Sequence, residues 1–231
     1  MRRLVLFDID GTLLVSAHAG RRALRVAFED EYGDLSSFDS VRLDGKTDPQ
    51  IIAELHSAAG RPERNTPEVI ARLLDRYVAA LELEIADRGH LVHPCPGVPE
   101  LLDALAERPD VVTGLLTGNI VPGARLKLGA ARIDFGRFVV GAFGSDSAHR
   151  PDLPLIAATR AAPLFGRAPH GDEVVIIGDT PADVACGAGI AARAVAVATG
   201  SYSVAELVST GAHATFATLA DTTAVLEAIL T

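Results

Sequence analysis

Two aspartates one residue apart follow a short apolar run near the start of the chain. In "LVLFDIDGTLL", residues 4–14, Asp8 and Asp10 end a strand-like segment and precede a glycine and a threonine. Two carboxylates in one small space repel each other, and burial of both raises the pKa of at least one. Mg²⁺ resolves this conflict, since it binds carboxylate oxygens and keeps positions for water and a substrate phosphate. The pair therefore indicates a Mg²⁺ site, with Asp8 ionised and nucleophilic and Asp10 able to carry a proton.

Further polar clusters follow or lie between other apolar runs. The carboxyl ends of parallel strands form the ligand site of an open sheet, so we expect these clusters to converge there. A hydroxyl, a cation and backbone N–H groups are the donors that a transferring phosphoryl group needs. The candidates are Thr117, Gly118 and Asn119 in "LLTGN", Arg150 in "HRPDLP", and Asp179 and Asp183 in "IIGDTPAD".

Strand-like and helix-like segments alternate along most of the chain. The apolar runs carry no polar face, which is typical of parallel strands covered on both sides by helices. We therefore predict an α/β fold with a doubly wound parallel sheet. The predicted strands are 3–7, 111–116, 138–142, 174–177, 194–198 and, more weakly, 214–216, and the helices between them are 98–107, 122–130, 153–162, 182–189 and 205–210.

One long interval breaks this alternation. Between the first strand and residue 98, helical spacing of apolar residues recurs over 17–32, 48–59 and 67–87, with no convincing strand among them. Glycine and proline mark both ends of the interval, as they do in linkers. We predict a core domain made of 1–15 and 92–231, with a helical domain, 16–91, inserted into it.

Composition excludes several classes of function. The 231 residues are 48% hydrophobic and carry a formal net charge of −9, without a block of lysines and arginines. This charge argues against nucleic acid as a partner. No apolar run has the length of a membrane span or a signal peptide, and two distant cysteines predict no disulfide. We expect a cytoplasmic protein, monomeric or homodimeric, with no membrane partner.

The order of the motifs resembles a known family. "DIDGT", "LLTGN", the basic residue before "PDLP" and "GDTPAD" look like the four motifs of the haloacid dehalogenase superfamily, over residue 3 to about 200. The helical insert resembles the small cap of the phosphoglycolate phosphatase and β-phosphoglucomutase branch. The resemblance implies a Rossmann-like core and an aspartyl-phosphate mechanism.

The resemblance also implies a role for each motif residue. Asp8 would attack phosphorus, and Asp10 would protonate the leaving oxygen and later deprotonate water. Thr117 and Arg150 would hold the phosphoryl oxygens. The Mg²⁺ ligands would be Asp8, the Asp10 carbonyl and Asp179, with the shell completed by Asp183 through water or by orienting its neighbours.

These implications favour a Mg²⁺-dependent phosphatase that acts on a small phosphorylated metabolite. Branches that dehalogenate or transport ions lack a carboxylate at the position of Asp10, by resemblance, so Asp10 points to phosphatase or phosphomutase chemistry. The alternatives are a sugar phosphomutase of the β-phosphoglucomutase type and a phosphate-binding module without turnover. The sequence does not distinguish between metabolites.

Two basic residues compete for the role of phosphoryl-binding cation. Arg150 fits better because it precedes "PDLP" and the fourth strand, whereas Lys127 is expected on the surface of its helix or behind the catalytic residues. A calcium loop beginning at "DIDG" is disfavoured because a strand precedes it. His90 and His93 have ligand-like spacing but no third partner nearby.

The stretch "LDGKTDPQII", residues 43–52, suggests a contact from the insert to the substrate. Gly45 permits a tight turn, Asp48 is expected to cap the helix that starts at Pro49, and Lys46 is left projecting. A surface lysine on a capped turn is the simpler reading. Against it, the chain has only two lysines among 21 basic residues, and the cap loop of related phosphatases carries a similar Gly-basic-Thr-Asp pattern. We therefore predict that Lys46 binds substrate.

Overall fold

A computed structural model describes residues 1–33 and 36–231 of the chain. Its strands and helices alternate as an α/β protein requires, apart from three consecutive helices early in the chain. In chain order the elements are β1 (Arg3–Phe7), β2 (Leu14–Val15), α1 (Ala19–Tyr32), α2 (Asp48–Ala58), α3 (Pro67–Arg88), β3 (His93–Pro94), α4 (Val98–Ala106), β4 (Val111–Thr117), α5 (Val121–Ala130), β5 (Val140–Phe143), α6 (Leu153–Phe165), β6 (Val174–Gly178), α7 (Pro181–Cys186), β7 (Arg193–Val197), α8 (Val204–Val208), β8 (Ala214–Phe216) and α9 (Thr222–Leu230).

Six strands form one parallel sheet in the order β5-β4-β1-β6-β7-β8. Side chains of β1 alternate between its two faces, as the period of a strand requires. Val5 and Phe7 pack in a core with α4, α5 and α9, whereas Leu4 and Leu6 pack in another with α6 and α7. The predicted doubly wound sheet is therefore confirmed, with helices on both faces.

The six predicted strands are present, but two features at the sheet differ from the prediction. Strand β5 begins at Val140, whereas the corresponding strand was predicted from residue 138, because a single 3₁₀ turn, Phe135–Arg137, precedes it and Asp134 caps that turn. The C-terminal helix α9 was not predicted. Its Val225 and Ile229 are fully buried against the sheet, so the short, Thr-rich segment gains its helix from packing.

The helical insert contains the three predicted helices, and their bounds differ from the prediction by at most two residues. These helices share an apolar core of their own, to which Leu24, Ile52 and Leu73 contribute fully or almost fully buried side chains. Two short strands that were not predicted, β2 and β3, pair antiparallel where the chain enters and leaves the insert. Among the described residues, no helix has the length and apolar character needed to cross a bilayer.

The start of α2 differs from the prediction at Asp48. The N-cap is Thr47, whose hydroxyl accepts the Gln50 N–H at 3.2 Å, and Asp48 is already the first helical residue. The Asp48 carboxylate instead accepts the N–H of Ile120 at 2.8 Å, from the loop after β4. The prediction that Asp48 caps α2 is wrong, because the Asp48 carboxylate faces the loop after β4 and accepts an N–H group at the start of α5.

Candidate active site

The predicted site residues lie at the carboxyl edge of the sheet. Asp8 follows β1, Thr117 ends β4 and Asp179 follows β6, and β1 lies between the other two strands. A cavity of about 630 Å³ opens at this edge, between the sheet and the insert. Eight of the nine predicted residues line it, namely Asp8, Asp10, Lys46, Thr117, Gly118, Asn119, Arg150 and Asp179, and Asp183 lies behind them.

Arg150 joins two of the carboxylates. Its Nη2 lies 3.2 Å from Asp8 Oδ1 and also donates to Asp183 Oδ1. Asp183 Oδ2 accepts the N–H of Thr180 at 3.0 Å and its hydroxyl at 2.7 Å. The Arg150 Nε is buried and has no hydrogen-bond partner among the described residues. Arg150 is therefore held beside Asp8, and its guanidinium group lines the cavity where an anion can bind.

Three buried carboxylates lie close enough together to hold a cation. One oxygen from each of Asp8, Asp179 and Asp183 lies within 4.8 Å of the others. Burial, with the neighbouring carboxylates, raises the pKa of Asp179 to about 9. Burial also raises the pKa of Asp8 to about 7, against the opposing effect of Arg150. This excess of buried negative charge and the all-oxygen donors suit a hard divalent ion such as Mg²⁺.

Asp179 differs from the other three site carboxylates because no cationic side chain among the described residues pairs with it. The hydroxyl of Thr12 donates to it at 3.1 Å, and two glycines enclose it. A Cβ at Gly11 would lie 2.3 Å from Asp179 Oδ2, and one at Gly200 would lie 1.7 Å away. Glycine is therefore required at both positions, and Thr12 occupies only Oδ1, so Oδ2 is available to bind a cation. Asp183, by contrast, has both oxygens in hydrogen bonds.

Asp10 lies apart from the three clustered carboxylates. Its Oδ2 accepts from Lys127 Nζ at 2.6 Å and Asn119 Nδ2 at 2.9 Å, and its Oδ1 accepts from the Ser16 hydroxyl at 2.9 Å. Burial acts to raise the pKa of Asp10, but the charge and hydrogen bonds of Lys127 outweigh it and hold that pKa below its usual value. The surroundings thus favour an ionised Asp10, and its ability to carry a proton stays a prediction.

Lys127 is the residue whose place the sequence did not resolve. It is only 5% exposed, so the helix surface is excluded, and its contact with Asp10 agrees with the other expected place, behind the catalytic residues. The side chain points along the start of α5 toward the loop after β4, where Nζ donates to Asn119 Oδ1 at 2.6 Å as well as to Asp10. One available signal was its helical position, since the neighbouring Ala124 and Leu128 are apolar and buried.

The loop after β4 connects the site to the insert. Thr117 Oγ1 accepts the Asn119 side-chain amide at 2.8 Å, and Gly118 O accepts the Asp48 N–H at 2.8 Å. A Cβ at Gly118 would lie 2.0 Å from the Lys46 carbonyl oxygen, so glycine is required for this approach. The loop that carries Lys46 is therefore docked against the core.

Lys46 lines the cavity from the side of the insert, and its ammonium forms an ion pair with Glu54 of α2. Gly45 adopts the expected left-handed turn, with φ of 73°. His18 also lines the cavity, whereas His149 is exposed and contacts Asp152. The structure therefore brings Lys46 to the cavity with its charge partly satisfied.

Comparison with known proteins identifies the family. Residues 2–190 match the family described as haloacid dehalogenase-like hydrolase. A hydrolase from Pseudomonas syringae superposes with a TM-score of 0.74 at 25% identity, over 98% of both chains. No curated protein matches the chain in sequence.

Two more distant structures share the fold. β-Phosphoglucomutase from Clostridium difficile has a TM-score of 0.75 at 16% identity, over 99% of this chain and 97% of its own. CbbY from Rhodobacter sphaeroides, in complex with phosphate, has a TM-score of 0.68 at 18% identity, over 96% of both chains. The family match covers most of the chain and includes the motifs that form the cavity. The chain therefore belongs to the haloacid dehalogenase-like hydrolase family.

Proposed function

We propose that this enzyme is a Mg²⁺-dependent phosphatase that hydrolyses a small phosphorylated metabolite through an aspartyl-phosphate on Asp8. The observation that carries the proposal is the placement of the Asp8 carboxylate in the cavity, 3.2 Å from Arg150 and within the cluster of three acids. A carboxylate beside cationic groups is suited to attack phosphorus, because charge repulsion from the phosphate is neutralised.

The first step transfers the phosphoryl group to Asp8. An Asp8 oxygen forms a bond to phosphorus while the bond from phosphorus to the leaving oxygen breaks. The guanidinium of Arg150, the Thr117 hydroxyl and the backbone N–H groups of Gly118 and Asn119 are the donors for the phosphoryl oxygens. These groups come from separate loops that the sheet holds together, so little reorganisation is needed during transfer.

Asp10 serves both steps of the reaction. It gives a proton to the leaving oxygen in the first step and takes a proton from the attacking water in the second, which releases phosphate from Asp8. General acid help of this kind contributes roughly 10² to 10⁴ in rate. The Ser16, Asn119 and Lys127 contacts hold the carboxylate, and the proton must reach it before or with the substrate.

The residues present fit a bound Mg²⁺. Asp8, Asp179 and the main-chain carbonyl of Asp10 would hold the ion, and Asp183 would orient Arg150 and act through water because both its carboxylate oxygens are already bonded. When bound, the ion neutralises charge on Asp8 and on the phosphoryl oxygens. The raised pKa values of Asp8 and Asp179 support this assignment, since they record uncompensated negative charge.

We further propose that residues 16–91 form a cap domain and that 1–15 with 92–231 form the core domain. The cap supplies Leu24, Leu43 and Ile51 to the cavity wall, together with Lys46. This mixture suits a small leaving group that carries an anionic end, as in a phosphoglycolate phosphatase. Closure of the cap excludes bulk water from the aspartyl-phosphate. The expected substrate is a soluble cytoplasmic metabolite, with no nucleic acid or membrane partner.

A panel of phosphomonoesters tests this proposal. Purified protein is assayed for released phosphate with Mg²⁺ and with a chelator, and the products are analysed for isomers. We expect Mg²⁺-dependent phosphate release from at least one ester. An isomerised substrate without phosphate release would identify a phosphomutase instead, and binding without either product would contradict an enzymatic role.

A further inference from the structure

A buried ammonium group lies where the core and the helical insert meet. Lys127 Nζ donates to Asp10 and to Asn119, both at 2.6 Å, and both partners belong to the loops of the core. The side chain is 6% exposed. A buried lysine is costly unless its charge and its donors are satisfied, so its place beneath the cavity calls for an explanation.

The insert closes the other side of the same ammonium group. A Cβ at Gly20 of α1 would lie 3.1 Å from Lys127 Nζ and 3.5 Å from the hydroxyl of Tyr77, so these three groups share one small space. Tyr77 on α3 and the Asp48 carboxylate on α2 are close enough to act electrostatically on the Lys127 ammonium group. All three helices of the insert therefore supply a neighbour to Lys127.

The partners of Lys127 argue against a primary role in binding substrate. An ammonium group has three N–H donors, and Lys127 directs two of them to Asp10 and Asn119. Tyr77 lies on another side of the same ammonium group, next to Gly20. Arg150, by contrast, lies 3.2 Å from Asp8, the proposed nucleophile, and lines the cavity beside it. The two cations at the site therefore differ in the carboxylate that each one holds.

We propose that Lys127 is a positioning residue, which fixes the carboxylate of Asp10 and makes its placement depend on the docked insert. This inference rests on the proposed function, since it assumes that Asp10 serves the leaving group. Without Lys127, the Asp10 carboxylate loses its ion pair and keeps two neutral contacts at 2.9 Å, from Asn119 to Oδ2 and from Ser16 to Oδ1, so it is held less firmly. A displacement of about 1 Å at such a group costs up to roughly 10²-fold in rate.

Two variants test the proposal in different ways. Lys127→Met removes the ammonium group, whereas Gly20→Ala removes nothing and adds a methyl group 3.1 Å from Nζ, so the lysine must shift by a few tenths of an ångström. Gly129→Ala is the matched control, because it adds the same methyl group two residues from Lys127 where nothing lies within 4 Å.

The measurements separate proton transfer to the leaving oxygen from the other steps of the reaction. Steady-state kcat and KM are measured with an alkyl phosphomonoester, whose poor leaving group needs an acid. The pre-steady-state burst of alcohol release is measured with an aryl phosphate, whose leaving group needs none. Lys127→Met should lower alkyl kcat by about 10- to 100-fold, with KM within about twofold and the aryl burst within about threefold.

Gly20→Ala should lower kcat on the alkyl substrate by about two- to tenfold, again with little change in KM or in the aryl burst. The melting temperature should not fall, since alanine favours the helix. Equal losses on alkyl and aryl substrates in either variant, or wild-type kinetics in both, would overturn the positioning role. If Lys127→Met does not fold, Gly20→Ala against Gly129→Ala decides the question alone.

A stability cycle gives a readout that does not depend on turnover. If Lys127 and Asp10 are held by each other, Lys127→Met should lower the melting temperature much less in an Asp10→Asn background than in the wild type. Equal losses in both backgrounds would overturn the contact. A wild type that releases no phosphate from any ester would overturn the proposed function and this inference together, whereas an active wild type with additive variants would overturn only the inference.

Discussion

The cavity has a floor, formed by residues of the core, and a roof, formed by residues of the helical insert, and the two regions hold their charged side chains in different ways. On the floor, Asp8, Arg150 and Asp183 are almost fully buried and joined in one network. On the roof, Lys46 is about one-quarter exposed and pairs with the partly exposed Glu54 on the same segment of chain. Buried groups held by several partners are fixed in place, whereas half-exposed ion pairs contribute little stability and exchange partners readily.

This difference indicates that the two regions have different functions. The floor holds groups whose arrangement any phosphomonoester requires, and the roof holds groups that can respond to what the phosphate is attached to. Substitutions on the floor should therefore affect every substrate, and substitutions on the roof should affect some substrates more than others. Single substitutions in each region test that difference.

Asp8→Asn should abolish turnover on every substrate, with a loss of about 10⁴-fold or more, because it removes the nucleophile. The fold should remain, since asparagine keeps the shape and the burial-raised pKa of Asp8 shows that its charge does not favour folding. Phosphate release and thermal unfolding check both parts. Near-normal turnover in this variant would eliminate covalent catalysis by Asp8.

Asp10→Asn should separate substrates by leaving group. Hydrolysis of alkyl phosphates should fall by about 10² to 10⁴, because the leaving oxygen loses its acid. The first burst of alcohol from an aryl phosphate should fall far less. Comparable losses for both ester types would show that Asp10 does not transfer a proton.

Lys46→Ala should leave the floor intact and affect only recognition. If the ammonium binds an anionic end of the leaving group, the loss on the best substrate should be roughly tenfold to 150-fold in kcat/KM. A small aryl phosphate should be nearly unaffected. Glu54→Gln is the matched control, because it removes the ion pair but keeps Lys46. Wild-type efficiency of Lys46→Ala on the best substrate would show that the loop is only a capped turn.

Asp179→Asn should have a smaller effect on stability, of opposite sign with and without metal. The pKa of Asp179 is raised to about 9 in the fold, against about 3.9 in an unfolded chain. The folded state therefore binds more protons between these values, and stability falls as pH rises through that window. In a chelator at pH 8, the variant should melt a few degrees higher than the wild type.

Addition of Mg²⁺ should reverse that order, because only the wild type gains a bound ion. For the wild type, the Mg²⁺-induced rise in melting temperature should be larger at pH 8 than at pH 6, because fewer protons compete with the ion at pH 8. For Asp179→Asn, this rise should be absent. An equal response of both proteins to Mg²⁺ would contradict a metal role for Asp179. Differential scanning fluorimetry at the two pH values gives both comparisons.

The sequence predicted much of the fold because its signals are local. The apolar runs and the helical periodicity that predict strands and helices lie within each element, and the motif residues follow the strands that position them. The two-residue strands β2 and β3 carry no such signal, since their pairing joins Leu14 to Pro94 across the whole insert. Asp48 shows the same limit, because its partner Ile120 lies in another part of the chain.

Lys127 shows why the site itself could be predicted only in part. A lysine in a helix is most often on the surface, and the groups that bury this one come from α1, α3 and two core loops. No local pattern records that all of them meet at one ammonium group. The glycines around Asp179 are a similar case, since Gly200 lies 21 residues after Asp179 and is required only by the folded geometry.

Capture of the phosphorylated enzyme tests whether Asp8 is the nucleophile. Asp10→Asn protein, mixed with an aryl phosphate and Mg²⁺ and quenched within one turnover, is digested and analysed by mass spectrometry. We expect one phosphoryl group on the peptide that contains Asp8, and none when the Asp8→Asn substitution is added to the same protein. Release of the aryl alcohol without any phosphorylated peptide, or with the phosphoryl group on another residue, would contradict it.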